Sequence, residues 1–345
     1  MISSICVLLA VAALVPVADA ISEQGFAEAY REKVWPYYES GEFGSFVGQD
    51  GVRIAYAKYQ AAPEQGALVI VPGKSESFLK YAELIYDLRD SGFSLYLIDH
   101  RGMGFSGGLL EDDPGKTHVE SFDYYVEDLR TFVDQVVDAS PHTRRVLLGH
   151  SMGGTVALLF LERHPQIFDG AILSAPMLEI ITDPLPEWVA QAMSGVAARV
   201  GLGGRYCPWR GPWKSGAFAE NIFTHSHARW SLWEEQLIPS RRLKGMGGPT
   251  QRWLHESLNA GRSAERAAGR VRAPVIVFQA GLDDFVRPGA QERACRCMPD
   301  CELELLPAAR HEIFFESDSV RDKAVRRVLD FLVRMAGCTE APGVR

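Results

Sequence analysis

Short apolar runs alternate along this chain with stretches in which apolar residues recur every third or fourth position. Leu68 to Val71, Phe93 to Ile98, Val146 to Leu148, Gly170 to Ser174, Val275 to Phe278 and Glu302 to Leu306 read as strands. Runs that are apolar without interruption suit parallel strands buried on both faces. Phe78 to Leu88 reads as a helix with Leu79, Leu84, Ile85 and Leu88 on one side. Ser121 to Asp138 repeats the pattern through Phe122, Val126, Leu129, Val133 and Val136. Thr155 to Leu161, Pro288 to Cys297 and Asp318 to Met335 complete the helical series, and Glu23 to Tyr38 reads as an N-terminal helix or arm. Phe46 to Tyr59 alternates about Gln49-Asp50-Gly51, a hairpin signal, so two antiparallel strands are expected there.

From Met177 to Ala260 the alternation stops, and the chain becomes rich in Gly, Pro and Trp. Strands alternating with helices predict an α/β fold with a mostly parallel central sheet flanked by helices. The irregular middle predicts a cap, inserted after the sixth strand, over the carboxyl edge of the sheet, where such folds bind ligands. The expected division is a core of residues 45–176 and 261–337 and a cap of residues 177–260.

With 345 residues, 47% hydrophobic and 23% charged, the chain can bury a sizeable core. Its net charge of −8 offers no basic face for nucleic acid. Ile5 to Ala18 followed by Ala18-Asp19-Ala20 reads as a secretory signal peptide over residues 1–20, hence an exported protein, periplasmic or secreted. No Lys or Arg precedes the apolar stretch, so a mis-called start codon or a membrane-associated, uncleaved N-terminus is the competing reading. Of the six cysteines, Cys295, Cys297 and Cys301 cluster; a disulfide within that cluster or to Cys338 is expected. Cys-x-Cys-x-x-x-Cys lacks the paired spacing of a zinc site, and neither metal nor organic cofactor is implied.

Candidate chemistry centres on Gly149-His150-Ser151-Met152-Gly153, between a strand and a helix. Glycines flanking a serine permit a turn sharp enough to lift its hydroxyl above the sheet, at a helix N-terminus that favours negative charge. A serine hydroxyl needs a base, and the base needs an acid to orient it. Asp283 and Asp284 follow one late strand and His311 follows the last, so all lie at the edge that carries Ser151. Spacing from the strand end favours Asp283 as the acid and leaves Asp284 as a turn former. The Met152 N–H would hold an oxyanion, with a second donor from the loop after the third strand, assigned to the Lys74 N–H. The Lys74 ammonium is not required and is expected to face solvent or pair with an acid. Asp99 to Gly107 reads as a structural loop anchored by Asp99 and Arg101. His150 is expected to pack or hydrogen-bond, and Glu76 to support the site without reacting.

Several of these motifs resemble the monoacylglycerol lipase and bacterial lysophospholipase branch of the α/β-hydrolases. Asp99-His100-Arg101-Gly102-Met103-Gly104-Phe105-Ser106-Gly107 and Gly149-His150-Ser151-Met152-Gly153-Gly154 match that branch. Pro72-Gly73-Lys74-Ser75-Glu76-Ser77 stands where monoacylglycerol lipases carry His-Gly-x-Gly-Glu-His, so Pro72 and Ser75 replace His and Gly. Lys80 to Leu84, Gly247 to Thr250 with Trp253, and His311-Glu312-Ile313 with Glu316 resemble the bacterial lysophospholipases more closely. The similarity runs from about Ser45 to Leu332. It implies the α/β-hydrolase fold with Ser151 as nucleophile, Asp283 as acid and His311 as base, acting on lysophospholipid or, second, monoacylglycerol. General carboxylesterase, aminopeptidase, thioesterase and non-catalytic binding are the alternatives, since fold does not fix substrate. An Asp-nucleophile epoxide hydrolase or dehalogenase is disfavoured by Ser151.

Six of the seven tryptophans fall in the cap. Trp213, Trp230 and Trp253 are assigned to substrate binding, as aromatic area for an acyl chain or a peripheral membrane contact. Arg229, Arg241, Arg242 and Lys244 lie beside them as candidates for a phosphate head group.

Overall fold

The computed structural model describes residues 20–241 and 243–337. The expected signal segment therefore lies outside the described residues, Ala20 excepted, as do Arg242 and Cys338. Strands β1 (Glu42–Val47) and β2 (Arg53–Tyr59) form the expected antiparallel hairpin. Asp50 and Gly51 turn it, with φ of 53° and 75°, the left-handed region that an Asp-Gly pair tolerates. Then follow β3 (Gly66–Val71), β4 (Phe93–Ile98), β5 (Arg145–His150), β6 (Gly170–Ser174), β7 (Val275–Ala280) and β8 (Cys301–Leu306). The eight strands make one sheet in the order β1-β2-β4-β3-β5-β6-β7-β8. From β4 to β8 every pairing is parallel. The register sets Val71 beside Gly149, His150 beside Ser174, and Ala280 beside Leu306, so the carboxyl ends of these strands form one rim.

Along β3 every residue is buried, and successive side chains enter opposite cores. Leu68 and Ile70 pack with α1 (26–39), α2 (78–87) and α9 (Asp318–Gly337). Val69 and Val71 pack with α3 (123–137), α4 (Met152–Arg163) and α8 (Pro288–Cys297). Each such aliphatic side chain contributes about 1.5–3 kcal/mol on burial, so the sheet beneath the rim is packed on both faces.

Between β6 and β7 the chain adds no strand to the sheet, but it is not irregular as expected. It forms α5 (Glu187–Arg199), α6 (227–241) and α7 (Gln251–Ala267). The buried positions of α7 are Trp253, Ser257, Leu258, Ala260, Gly261, Ala264 and Ala267, a helical stripe made mostly of small residues. Large apolar residues alone do not reveal it. Small residues are needed because this helix lies close to its neighbours: a Cβ on Gly261 would sit 2.4 Å from the Leu178 carbonyl oxygen. Helix α7 runs through residue 260, so the expected cap boundary falls inside a helix. No helix among the described residues is long and apolar enough to cross a membrane.

Cys295 at the end of α8 and Cys301 at the start of β8 form a disulfide, while Cys297 is an exposed thiol and Cys207 a buried one.

Candidate active site

Ser151 sits between β5 and α4 with φ 51° and ψ −116°, outside the regions that side chains favour. Tight packing enforces this turn. A Cβ on Gly153 would lie 2.2 Å from the Val71 carbonyl oxygen, and one on Gly149 would lie 2.5 Å from that of Gly153. The Ser151 N–H donates to the Ser174 carbonyl at 2.9 Å, fastening the turn to β6.

Asp283 and His311 follow β7 and β8, and the Leu282 N–H donates to the Ala309 carbonyl at 2.9 Å, joining their loops. The structure brings the three expected side chains together. Ser151 Oγ is 2.9 Å from His311 Nε2, and His311 Nδ1 is 2.7 Å from Asp283 Oδ2. With the carboxylate accepting, Nδ1 carries the proton and Nε2 faces the hydroxyl as acceptor. Asp283 Oδ1 accepts from the Phe285 and Val286 N–H groups at 2.8 and 3.1 Å. Burial opposes the Asp283 charge, but the His311 ring and these donors together hold its carboxyl below the ordinary range. Asp284 is exposed.

Met152 opens α4, so its N–H has no acceptor within the helix. Across from it, the loop after β3 is pinned at Pro72, whose carbonyl accepts from His100 Nε2 at 3.0 Å. The Gly73 N–H is taken by Glu76 Oε2 at 2.6 Å, leaving Lys74 as the next donor. The Lys74 side chain meets expectation only in part: it is half-buried, and it pairs with no acid. Nζ donates to Ser75 Oγ at 2.6 Å and stands 5.9 Å from the centre of the Trp253 ring. The next residue, Ser75, has a φ of 56°.

Behind the triad lies a buried group whose role the sequence did not reveal. Lys80 Nζ donates to Glu76 Oε1 at 2.7 Å and to Glu312 Oε1 at 2.5 Å, and Tyr81 donates to Glu76 Oε2 at 2.7 Å. One ammonium thereby joins the Lys74 loop to the residue after His311. The i, i+4 spacing of Glu76 and Lys80 was the available signal; the reach to Glu312 across the fold had none. Burial opposes the Glu76 charge, and Lys80 and His150 outweigh it, so the carboxyl is held low. Burial raises that of Glu312. His150 packs as expected: Nδ1 donates to the Ser174 carbonyl at 3.1 Å, and burial pushes its pKa down to about 4. It therefore stays neutral 5.0 Å from the His311 ring and adds no charge repulsion when that ring is protonated. Asp99 accepts from the Phe78 and Phe105 N–H groups and from Ser77 Oγ. Arg101 clamps Asp128 at 2.6 and 2.8 Å, the structural loop foreseen.

The cap candidates divide. Trp253 lies against the Lys74 ammonium, but Trp213 and Trp230 are held by other residues between β6 and β7: Trp213 Nε1 donates to Glu234 at 3.1 Å, and Trp230 meets Phe218 edge-on at 5.4 Å. The basic candidates are corrected more sharply. Arg229 is wholly buried on Glu83 and Asp318, with no face left for a ligand. Lys244 Nζ donates to the Ser106 carbonyl at 3.0 Å. Arg241 lies over the Trp35 ring at 4.7 Å and lines a separate cavity of about 430 Å³ with Tyr38, Phe43 and Phe105.

Fold and geometry together define an α/β-hydrolase with a hydrogen-bonded Ser, His and Asp at the rim of its sheet. Residues 62–318 match the family model Hydrolase_4, described as serine aminopeptidase, S33. The chain is 34% identical to lysophospholipase L2 of Escherichia coli over 320 residues, 90% of this chain and 93% of that one. It is 26% identical to the monoacylglycerol lipase of Mycolicibacterium smegmatis over 281 residues, 79% and 91% of the two chains. A solved soluble variant of monoglyceride lipase from Saccharomyces cerevisiae, in complex with a substrate analog, superposes with a TM-score of 0.69 at 20% identity, covering 87% of this chain and 96% of that one. This chain belongs to the Hydrolase_4 family, in the branch of α/β-hydrolases that holds the lysophospholipases L2 and monoacylglycerol lipases.

Proposed function

We propose that this hydrolase cleaves the acyl ester of a monoacyl lipid, with lysophospholipid as its first substrate and monoacylglycerol as its second. The hydrogen-bonded series Asp283–His311–Ser151 carries the chemistry, and the curated relatives' names favour the lipid. His311 Nε2 takes the Ser151 proton as Oγ attacks the ester carbonyl carbon. The carbonyl oxygen becomes an oxyanion that accepts from the Met152 and Lys74 N–H groups. The tetrahedral intermediate then expels the glycerol oxygen, which leaves with the proton held by His311. Water, deprotonated by the same nitrogen, attacks the acyl-enzyme and releases fatty acid. Asp283 holds Nδ1–H and stabilises the imidazolium throughout. Of the tryptophans, Trp253 is the one we retain beside the substrate.

We further assign the segment of residues 177–260 as a cap that meets lipid. On α5, Trp188, Met193 and Val196 are exposed, as are Val200 at its end and Trp209 beyond it, an apolar surface suited to peripheral contact with a membrane. Export through a cleaved segment at residues 1–20 completes the reading; intact mass of the cell-envelope form, starting at Ile21 or not, decides it. The reaction itself is tested by fluorophosphonate labelling and by fatty-acid release from a panel of lysophospholipid, monoacylglycerol, aminoacyl and thioester substrates. Label on Ser151 with release from the lipids is expected; turnover of peptides or thioesters alone overturns the assignment. Flotation of the chain with vesicles, weakened by Trp188→Ala, tests the cap contact; undiminished flotation overturns it.

A further inference from the structure

Lys74 stands where a cation with nothing to neutralise it is costly. Its side chain is half-buried, and its ammonium donates to a neutral hydroxyl and lies beside an indole ring. Ser75 is built to hold it there. That residue adopts a φ of 56°, a backbone state that favours glycine, and the monoacylglycerol lipase pattern does carry glycine at this point of the loop. In exchange for the strain, Ser75 Oγ accepts from Lys74 and bonds onward to Thr117 Oγ1 at 3.1 Å and the Gly247 carbonyl at 3.3 Å. A second cation comes from the cap. Arg210 is packed on Gly248, next to the carbonyl that holds Ser75: a Cβ on Gly248 would lie 2.8 Å from Arg210 Cβ. Arg210 is exposed, and among the described residues neither it nor Lys74 has an ion-pair partner.

The groups facing Lys74 do not neutralise it. Burial is the largest influence and Arg210 the next; both lower its pKa, to about 8, while Cys207 and Glu76 oppose them weakly. Burial pushes the Cys207 thiol up to about 11, so it stays uncharged. Glu76 is already engaged with Lys80, Tyr81 and Gly73. An anion delivered by the substrate would relieve this pair of cations.

We propose that Lys74 and Arg210 form the subsite for the phosphodiester of the substrate head group, so that the enzyme favours lysophospholipid over neutral monoacylglycerol. The inference rests on the monoacyl-lipid reading above. Its geometry follows from one residue serving twice. The Lys74 N–H meets the ester oxyanion, and the side chain of the same residue reaches about 6 Å from its Cα. In a lysophospholipid the phosphorus lies about 6 Å along the glycerol from the ester oxygen, by standard bond lengths. A charged hydrogen bond at each cation then distinguishes phosphate from hydroxyl.

The test compares kcat/KM for lysophosphatidylglycerol and for 1-monoacylglycerol of the same acyl length, both below their micelle thresholds, on the full chain. Lys74→Met and Arg210→Met each lower the ratio of the two by about tenfold or more, chiefly through KM for the phospholipid. Lys74→Arg restores most of it. In the unsubstituted protein the ratio falls as pH rises through about 8, where the Lys74 ammonium loses its proton, and Lys74→Arg abolishes that fall. A ratio unmoved by both Met substitutions, with both lipids still hydrolysed, overturns the subsite. Hydrolysis of neither lipid by the unsubstituted protein overturns the parent reading instead. If Lys74→Met fails to fold, Arg210→Met at the exposed cap position decides alone.

Discussion

Two cations of this protein, one buried and one half-buried, stand in opposite circumstances. Arg229 is enclosed by Glu83, Asp318 and the Ile21 carbonyl, with contacts of 2.8 to 3.0 Å. It ties the N-terminal arm, α6 and the core into one body. Lys74 has one hydroxyl and one ring face. Burial opposes the charge at both, but at Arg229 the carboxylates outweigh it and the pKa rises, whereas at Lys74 nothing does and it falls. The first arrangement stabilises the fold; the second leaves a charge for a ligand to complete. A basic residue beside aromatic residues does not disclose which of the two it is, and the four cap cations chosen from the sequence included Arg229 for that reason.

The contrast between a region that reacts and a region that holds is broken most severely at the triad. Ser151→Ala lowers turnover by about 10⁴-fold or more, since members of a triad act as a unit, while its urea midpoint stays close to that of the parent. Asp283→Asn loses far more turnover than Asp284→Asn in the same steady-state assay; the reverse order would shift the acid by one residue. Next in size, Arg229→Met leaves Glu83 buried with only Arg321 beside it. It destabilises the chain by about 3 kcal/mol in urea unfolding, with kcat little changed in what remains folded.

Lys74→Met sharpens the comparison with the opposite sign. The folded pKa of about 8 lies below the ordinary 10.5, so between those values the unfolded chain binds the extra proton. Stability therefore rises with pH across that window, and below pH 8 the ammonium costs its full amount. At pH 7 the Met variant is more stable by about 1 kcal/mol, after allowance for partial exposure, and its stability is flatter between pH 8 and 10. Equal losses of stability at Arg229 and Lys74 would remove the distinction.

The strands and the order of the reacting residues were legible from the sequence because both are local. Uninterrupted apolar runs such as Leu68 to Val71 have one low-energy solution, a strand buried on both faces. Gly149 and Gly153 announce a turn that nothing bulkier fits. The helices between β6 and β7 were not legible, because the buried stripe of α7 is built mostly from Ala, Ser and Gly. Its meaning depends on the backbone that it must approach.

By itself, then, the sequence determined the parallel sheet, the elbow at Ser151 and the loops that carry Asp283 and His311, since each follows from residues adjacent along the chain. Only the tertiary structure decided which charges are neutralised: that Lys80 bridges Glu76 and Glu312, that Arg229 is enclosed, and that the Lys74 ammonium meets a hydroxyl and a ring face instead of a carboxylate. Electrostatic energy depends on distance in space and on access to water, and neither is written in the spacing of residues along a chain.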